Sequence, residues 1–223
     1  MNKVTALAIF LIHTAVLQAV EYRLPFEGRW FVLQGGDTLN VNQHMRVRAQ
    51  RFGIDFMKVG GKTGRELTRG RGKSVEDFFS WGQTVLSPVD GEVVSAVATF
   101  PDNPLGTRDT KNPGGNYVVI KAAEDRYVFL AHMQNGSIKV KAGDRVKRGE
   151  LLGLCGNSGN TDAPHIHMHV QDTPTLNVGE GQNTYFRGIS VQLSGKQLHE
   201  VDWPLIRGLF VSQSESTGSD QRA

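Results

Sequence analysis

The segment His165-Ile166-His167-Met168-His169 sets three imidazoles two residues apart. In a β-strand, positions i, i+2 and i+4 share one face, so the three rings would point the same way. Neutral imidazole is a common protein ligand for zinc. The chain has 7 histidines in all, so their concentration here favours a metal site over a solvated polar face. Asp55 stands in the otherwise apolar run Gly53-Ile54-Asp55-Phe56. A buried carboxylate is costly unless paired or metal-bound, so Asp55 asks for a cation, either a metal or the nearby Arg51. His132 closes another apolar run, Leu130-Ala131-His132. The single cysteine, Cys155, excludes a thiolate zinc site and an intramolecular disulfide. It reads as a small buried hydrophobe, which leaves histidine and carboxylate as the only donors.

The elements that must hold these side chains read as strands. Short runs rich in Val, Ile, Phe and Tyr, bounded by Gly, Pro, Asn and Asp, fall at 30–33, 52–59, 84–86, 91–100, 117–122, 127–132, 138–140, 151–155 and 165–171. Weaker ones fall at 189–193 and 209–211. No long stretch shows a 3.6-residue period, so the expectation is an all-β antiparallel sandwich or barrel-like roll. The run Gly156-Asn157-Ser158-Gly159-Asn160-Thr161-Asp162-Ala163-Pro164 is a turn-rich lead into the His-rich strand. Residues 101–115, rich in Pro, Gly, Asn and Asp, suit the wall of a cleft. Within 141–153, the Gly-Asp and Arg-Gly-Glu turns imply a tight turn and a second hairpin.

Residues 1–19 read as a signal peptide: a short positive start, an apolar run from position 4 and a small residue, Ala19, at its end. The run is shorter than the roughly twenty apolar residues of a membrane span. Export is therefore expected, with no stable membrane anchor. A single domain of 20–211 and a disordered, Ser-rich tail of 212–223 complete the organisation. The net charge is only +3, but residues 58–73 gather Lys58, Lys62, Arg65, Arg69, Arg71 and Lys73 against Glu66 alone. The stretch reads as a flexible basic loop that either is merely solvated or attracts an anionic polymer such as a cell wall. It lacks interleaved aromatics or a nucleic-acid motif, which argues against nucleic acid.

The ordered set of motifs resembles the lysostaphin/LytM-type zinc endopeptidases, a family of peptidoglycan hydrolases. Its hallmarks are a His-x-x-x-Asp strand, a Ser-Pro-x-x-Gly-x-Val turn, a strand ending in a lone His, a Gly-Asp-x-Val-x-x-Gly hairpin, and a Gly-Asn-x-Gly-x-Thr run leading to His-x-His. This chain has Ser87-Pro88-Val89-Asp90-Gly91-Glu92-Val93, His132, Gly143-Asp144-Arg145-Val146-Lys147-Arg148-Gly149, and Gly156-Asn157-Ser158-Gly159-Asn160-Thr161 before His165-Ile166-His167. The likeness runs from about position 24 to 172. It implies a duplicated-hybrid-motif β fold (a barrel/sandwich hybrid), one zinc per chain, Asp55 and His167 as metal ligands, and His132 and His165 as catalytic histidines that do not bind the metal. It also implies cutting of peptide bonds in bacterial peptidoglycan, in the periplasm or outside the cell.

One position departs from the pattern. Four residues before Asp55, where the family's first ligand should stand, this chain has Arg51. A guanidinium has no lone pair to offer. Two histidines compete for the vacant role. His44, in Asn42-Gln43-His44-Met45-Arg46, matches a branch of the family with a His upstream of a Gln-Arg-aromatic-x-x-Asp strand, and a loop over 45–50 would fold it back. His169 shares the strand face of His167, but same-face neighbours lie about 7 Å apart. Strand parity would also set Arg51 on the face of Asp55, near the site or turned into the groove. The rivals to an active peptidase are a catalytically inactive LytM-like domain that binds wall or regulates another hydrolase, and a polymer-binding β-domain.

Overall fold

Apolar, β-branched and aromatic residues alternate along most of the runs above, and in a computed structural model they form strands whose apolar faces meet in one core. The structure describes residues 20–198 and 204–214. The signal-peptide expectation for 1–19 lies outside the described residues. The strands are β1 (Trp30–Gln34), β2 (Ile54–Lys58), β3 (Thr84–Leu86), β4 (Gly91–Val97), β5 (Asn116–Ala123), β6 (Arg126–Met133), β7 (Arg145–Val146), β8 (Leu151–Leu154), β9 (Ile166–Gln171), β10 (Gly181–Gln182), β11 (Ile189–Leu193), β12 (Lys196–Leu198) and β13 (Phe210–Gln213). Helix is confined to three short 3-10 turns, Gln43–Arg46, Arg48–Gln50 and Val75–Asp77, among the described residues. No helix of the described residues is long and apolar enough to cross a membrane.

One large sheet runs β12-β11-β13-β1-β2-β9-β6-β5-β4-β7, with β10 on the end of β9, and β3 pairs with β8 in a second sheet. Every pairing between named strands is antiparallel. Alternation places Ile54 and Phe56 of β2, Val128 and Leu130 of β6, and Ile166, Met168 and Val170 of β9 in the hydrophobic core. Phe26 stacks on Trp30 at 4.4 Å and meets Phe56 edge-on at 5.0 Å. Burying each such side chain contributes about 1.5–3 kcal/mol, which makes β2, β6 and β9 a rigid floor.

Some expectations fail at the margins. Residues 138–140 form no strand, although Lys139 N–H donates to the Leu152 carbonyl at 2.8 Å, because the segment lacks the repeated exchange that a ladder needs. Phe52 and Gly53 belong to a turn, and β2 begins only at Ile54. The segment read as a tail starts inside β13: Ser212 pairs with Ser190, and the Gln213 side chain accepts from Leu24 N–H at 3.0 Å. The basic loop is tied down by bridges between Gly60 and Glu66 and between Thr68 and Phe78. Arg69 lies 4.7 Å from the centre of the Phe79 ring, and Arg65 lies 5.5 Å from that of Phe210. The 101–115 loop does contribute Arg108, Pro113 and Gly114 to the wall of a cleft.

Candidate metal centre

The face of β9 opposite the core carries His167, His169 and Gln171, and none is washed by solvent: their exposures are 3%, 1% and 0%. Register does the positioning. His167 pairs with Asp55 of β2 on one side and with Ala131 of β6 on the other, so the small Ala131 leaves room for rings. Asp55 Oδ1 lies 2.9 Å from His167 Nδ1 and 3.4 Å from His165 Nε2, and Oδ2 lies 3.0 Å from His44 Nε2. One ligand atom from each of His44, Asp55 and His167 falls within a 4.8 Å group. Donors around a tetrahedral zinc, each about 2.0–2.2 Å from it, stand about 3.3–3.6 Å from one another.

His44 arrives by irregular backbone. The turns Gln43–Arg46 and Arg48–Gln50 bring its ring within 4.6 Å of the His167 ring, edge-on. Asn42, fully buried, clamps this arch. Its side chain accepts from His44 N–H at 3.1 Å and donates to the carbonyls of Gly36 at 2.7 Å and Gly53 at 3.1 Å. Gly53 has no side chain for a reason: a Cβ there would sit 3.1 Å from His167 Cε1 and 3.2 Å from His44 Cδ2. The sequence reading passed over both Asn42 and Gly53, although both stand in the segments it quoted.

Arg51 does not share the face of Asp55. It lies in the turn before β2, where strand parity does not apply, and its guanidinium faces Glu180 at 3.6 Å, away from the cleft. His169 is not in the three-residue group either. It stands behind His167, with Nδ1 2.8 Å from His167 Nε2.

His132 reaches the site through an irregularity. In a regular strand it would face away from Ala131, but its φ is +62° and the β5–β6 register shifts between Asn116 and Val118. Such a bulge re-aims a side chain, here to within 4.7 Å of the His165 ring. His132 Nδ1 meets the Ser158 carbonyl at 2.8 Å, and His165 Nδ1 meets the Ala163 carbonyl at 2.9 Å. A carbonyl only accepts, so both rings carry a proton on Nδ1 and turn Nε2 toward the site. All five residues line one cleft of about 560 Å³.

The donor set fits zinc. His44 Nε2 is buried and close to Asp55, yet it makes no hydrogen bond, as a ring nitrogen aimed at a shared cation would. Burial would raise the Asp55 carboxyl, but the surrounding histidines His44, His165 and His167 hold it well below its ordinary value. Burial drives His167 down to about 4, and drives His132 and His169 well below 6.5. Burial opposes protonation of His165 too, but Asp55 overrides it and the net displacement is upward.

These displacements set the acid stability of the metal-free protein. His132, His167 and His169 bind fewer protons folded than unfolded, so the stability they allow is complete above about pH 6.5 and declines as pH falls toward their folded values. The contribution of His165 has the opposite sign: complete below about 6.5, it is lost as pH rises through its folded value. Asp55 adds stability that is lost only below about pH 3.8. Because the His165 contribution is constant below about pH 6.5, the metal-free protein should weaken between about pH 6.5 and 4, by up to about 1.4 kcal/mol per pH unit for each of the three lowered histidines. Urea midpoints at about pH 6.5, 5.5 and 4.5 measure this, and a midpoint that climbs across that range on acidification would contradict it.

Residues 73–178 match the model of Peptidase family M23. That span holds His132, His165 and His167, while His44 and Asp55 precede it. Endolysin 2638A of Staphylococcus phage 2638A is 37% identical over 104 residues, which cover 46% of this chain and 21% of that protein. Peptidoglycan DD-endopeptidase ShyA of Vibrio cholerae is 42% identical over 56 residues, 25% of this chain and 13% of that protein. The chain thus spans 21% of the length of the first of these relatives and 13% of the second. The catalytic domain of the antimicrobial peptidase lysostaphin from Staphylococcus simulans superposes with a TM-score of 0.41 at 20% identity, over 70% of this chain and 87% of that one. The chain carries a peptidase family M23 domain, homologous to the LytM- and lysostaphin-type endopeptidases.

Proposed function

We propose that this protein is an exported, zinc-dependent endopeptidase that hydrolyses peptide bonds in bacterial peptidoglycan. The observation that carries the proposal is the convergence of His44, Asp55 and His167 on one point of the cleft, with the Nε2 atoms of His132 and His165 beside it. His44, Asp55 and His167 hold the metal. Zinc bound there lowers the pKa of water to about 7 and polarises a carbonyl. His132, neutral and anchored through Nδ1, accepts a proton at Nε2 from the attacking water. His165, the ring that Asp55 biases toward protonation, donates from Nε2 to the developing oxyanion and onward to the leaving amine.

The inactive-domain alternative rested on Arg51, and it weakens because His44 stands where a third ligand is needed. Peptidoglycan as substrate is supported by the family and by relatives such as ShyA. Export is supported by the apolar run at the start of the chain and by the location of such a substrate. The test is zinc content of the purified protein together with digestion of intact sacculi. One zinc per chain and release of new amino termini support the reading, while zinc-free protein that binds sacculi without cutting them selects the inactive domain.

The basic stretch is proposed to hold anionic wall polymer without touching the chemistry. Arg65, Arg69, Arg71 and Lys73 are exposed and none lines the cleft. Replacing all four by Gln keeps the aliphatic stems and removes the charge. Binding to sacculi should weaken at low salt, with the difference from wild type shrinking as salt rises, and turnover of a short neutral peptide should stay unchanged. Equal binding at low ionic strength would reduce the stretch to a spacer.

A further inference from the structure

We propose that Gln171 and His169 form a positioning relay that keeps the His167 proton on Nε2, leaving Nδ1 bare and directed at the metal. The inference rests on the reading of His167 as a ligand. It starts at the far end of β9. Gln171 is fully buried, and its Nε2 lies 2.8 Å from the Thr173 carbonyl, 2.7 Å from that of Thr175 and 2.9 Å from that of Val178. Carbonyls only accept, so the amide nitrogen must face them. A flipped amide would set oxygen against all three.

The orientation of that amide propagates. Gln171 Oε1 is then the atom 3.1 Å from His169 Nε2, and since it can only accept, His169 carries its proton on Nε2. The His169 ring is 1% exposed and, among the described residues, its hydrogen-bond partners are His167 and Gln171, neither a carboxylate, so it stays neutral rather than burying an unpaired charge. Its Nδ1 is therefore an acceptor, 2.8 Å from His167 Nε2. That contact claims the single proton of a neutral His167. His167 Nδ1 is left as a lone pair 2.9 Å from Asp55 Oδ1, two electron-rich atoms that a shared cation would reconcile.

Geometry holds the relay in place. Phe129 is the register partner of His169 and stacks on its ring at 4.6 Å with planes 8° apart. The period of the strand does the rest, since positions 167, 169 and 171 share one face and each side chain reaches the next. His169 is thus a positioning residue, and its acceptor atom, not its bulk, is what counts. A partner that fixes tautomer and ring direction in this way is typically worth about 10–100-fold in metal affinity.

The test compares zinc affinity, by competition with a chelator, in wild type, His169→Phe and His169→Asn. Phenylalanine keeps a ring to stack on Phe129 but offers no acceptor. Asparagine loses the ring yet can set a carbonyl oxygen where Nδ1 stood. The relay predicts an affinity loss of about 10–100-fold for His169→Phe and recovery of most of it in His169→Asn. Equal losses, or the reverse order that a packing role would give, overturn it. Imidazole nitrogen NMR of the wild-type metal-free protein supplies the second measurement. A His169 proton on Nε2 supports the relay and one on Nδ1 overturns it, whether or not the variants fold. Wild-type protein that binds no zinc would refute the metal reading, and the NMR result would still decide the relay.

Discussion

His44→Ala is expected to abolish tight zinc binding, whereas Arg51→Ala leaves zinc content unchanged. A catalytic zinc takes three protein ligands and keeps a fourth position open. Asp55 and His167 supply two, from paired positions on β2 and β9. The third must come from a side chain whose lone pair reaches the same point, and His44 Nε2 lies 3.0 Å from Asp55 Oδ2 without a hydrogen bond to satisfy it. Removing a direct ligand should therefore cost more than the roughly 10–100-fold lost when only a supporting partner goes. Arg51 faces Glu180 instead, so its loss touches only the anchoring of the neighbouring loop. Asp55→Ala and His167→Ala should match His44→Ala. Wild-type zinc affinity in His44→Ala would remove His44 from the ligand set and reopen the question of the third donor.

The parts of this site that lie on regular strands were legible in the sequence, because alternation is a local rule. The period of two in His165-Ile166-His167-Met168-His169 put His167 and His169 on one face, as they stand in β9. An aspartate amid Gly53-Ile54 and Phe56 asked for partners, which the structure supplies as the rings of His44, His165 and His167. The strands of the floor followed for the same reason. What periodicity could not supply is how irregular backbone brings the named residues to the site. The approach of His44 needs two 3-10 turns and the Asn42 clamp. Arg51 was assigned a strand face that the chain does not yet have at that point, since β2 starts three residues later. The redirection of His132 needs a bulge and a positive φ. His169 looked like a rival ligand because sequence gives its face but not its distance; the structure sets it one hydrogen bond further back.

His132 and His165 should govern turnover and leave the metal in place. Neither falls in the three-residue donor group, and each spends its Nδ1 proton on a backbone carbonyl, so only Nε2 is free to act. Their environments differ in a way that separates their tasks. Burial keeps His132 neutral and able to accept a proton, whereas Asp55 biases His165 toward holding one. His165→Ala should lower turnover by about two to four orders of magnitude, the range for a general acid or base, at unchanged zinc content. At position 132 the backbone complicates the experiment, since its φ of +62° strains alanine. Asparagine tolerates that conformation, so His132→Asn separates lost chemistry from lost folding and should show the same loss of turnover with its metal retained. If His165→Ala instead loses zinc, then His165 is a ligand and the roles of His165 and His167 must be exchanged. If His132→Asn turns over at the wild-type rate, the proton leaves the attacking water by a route that does not include His132.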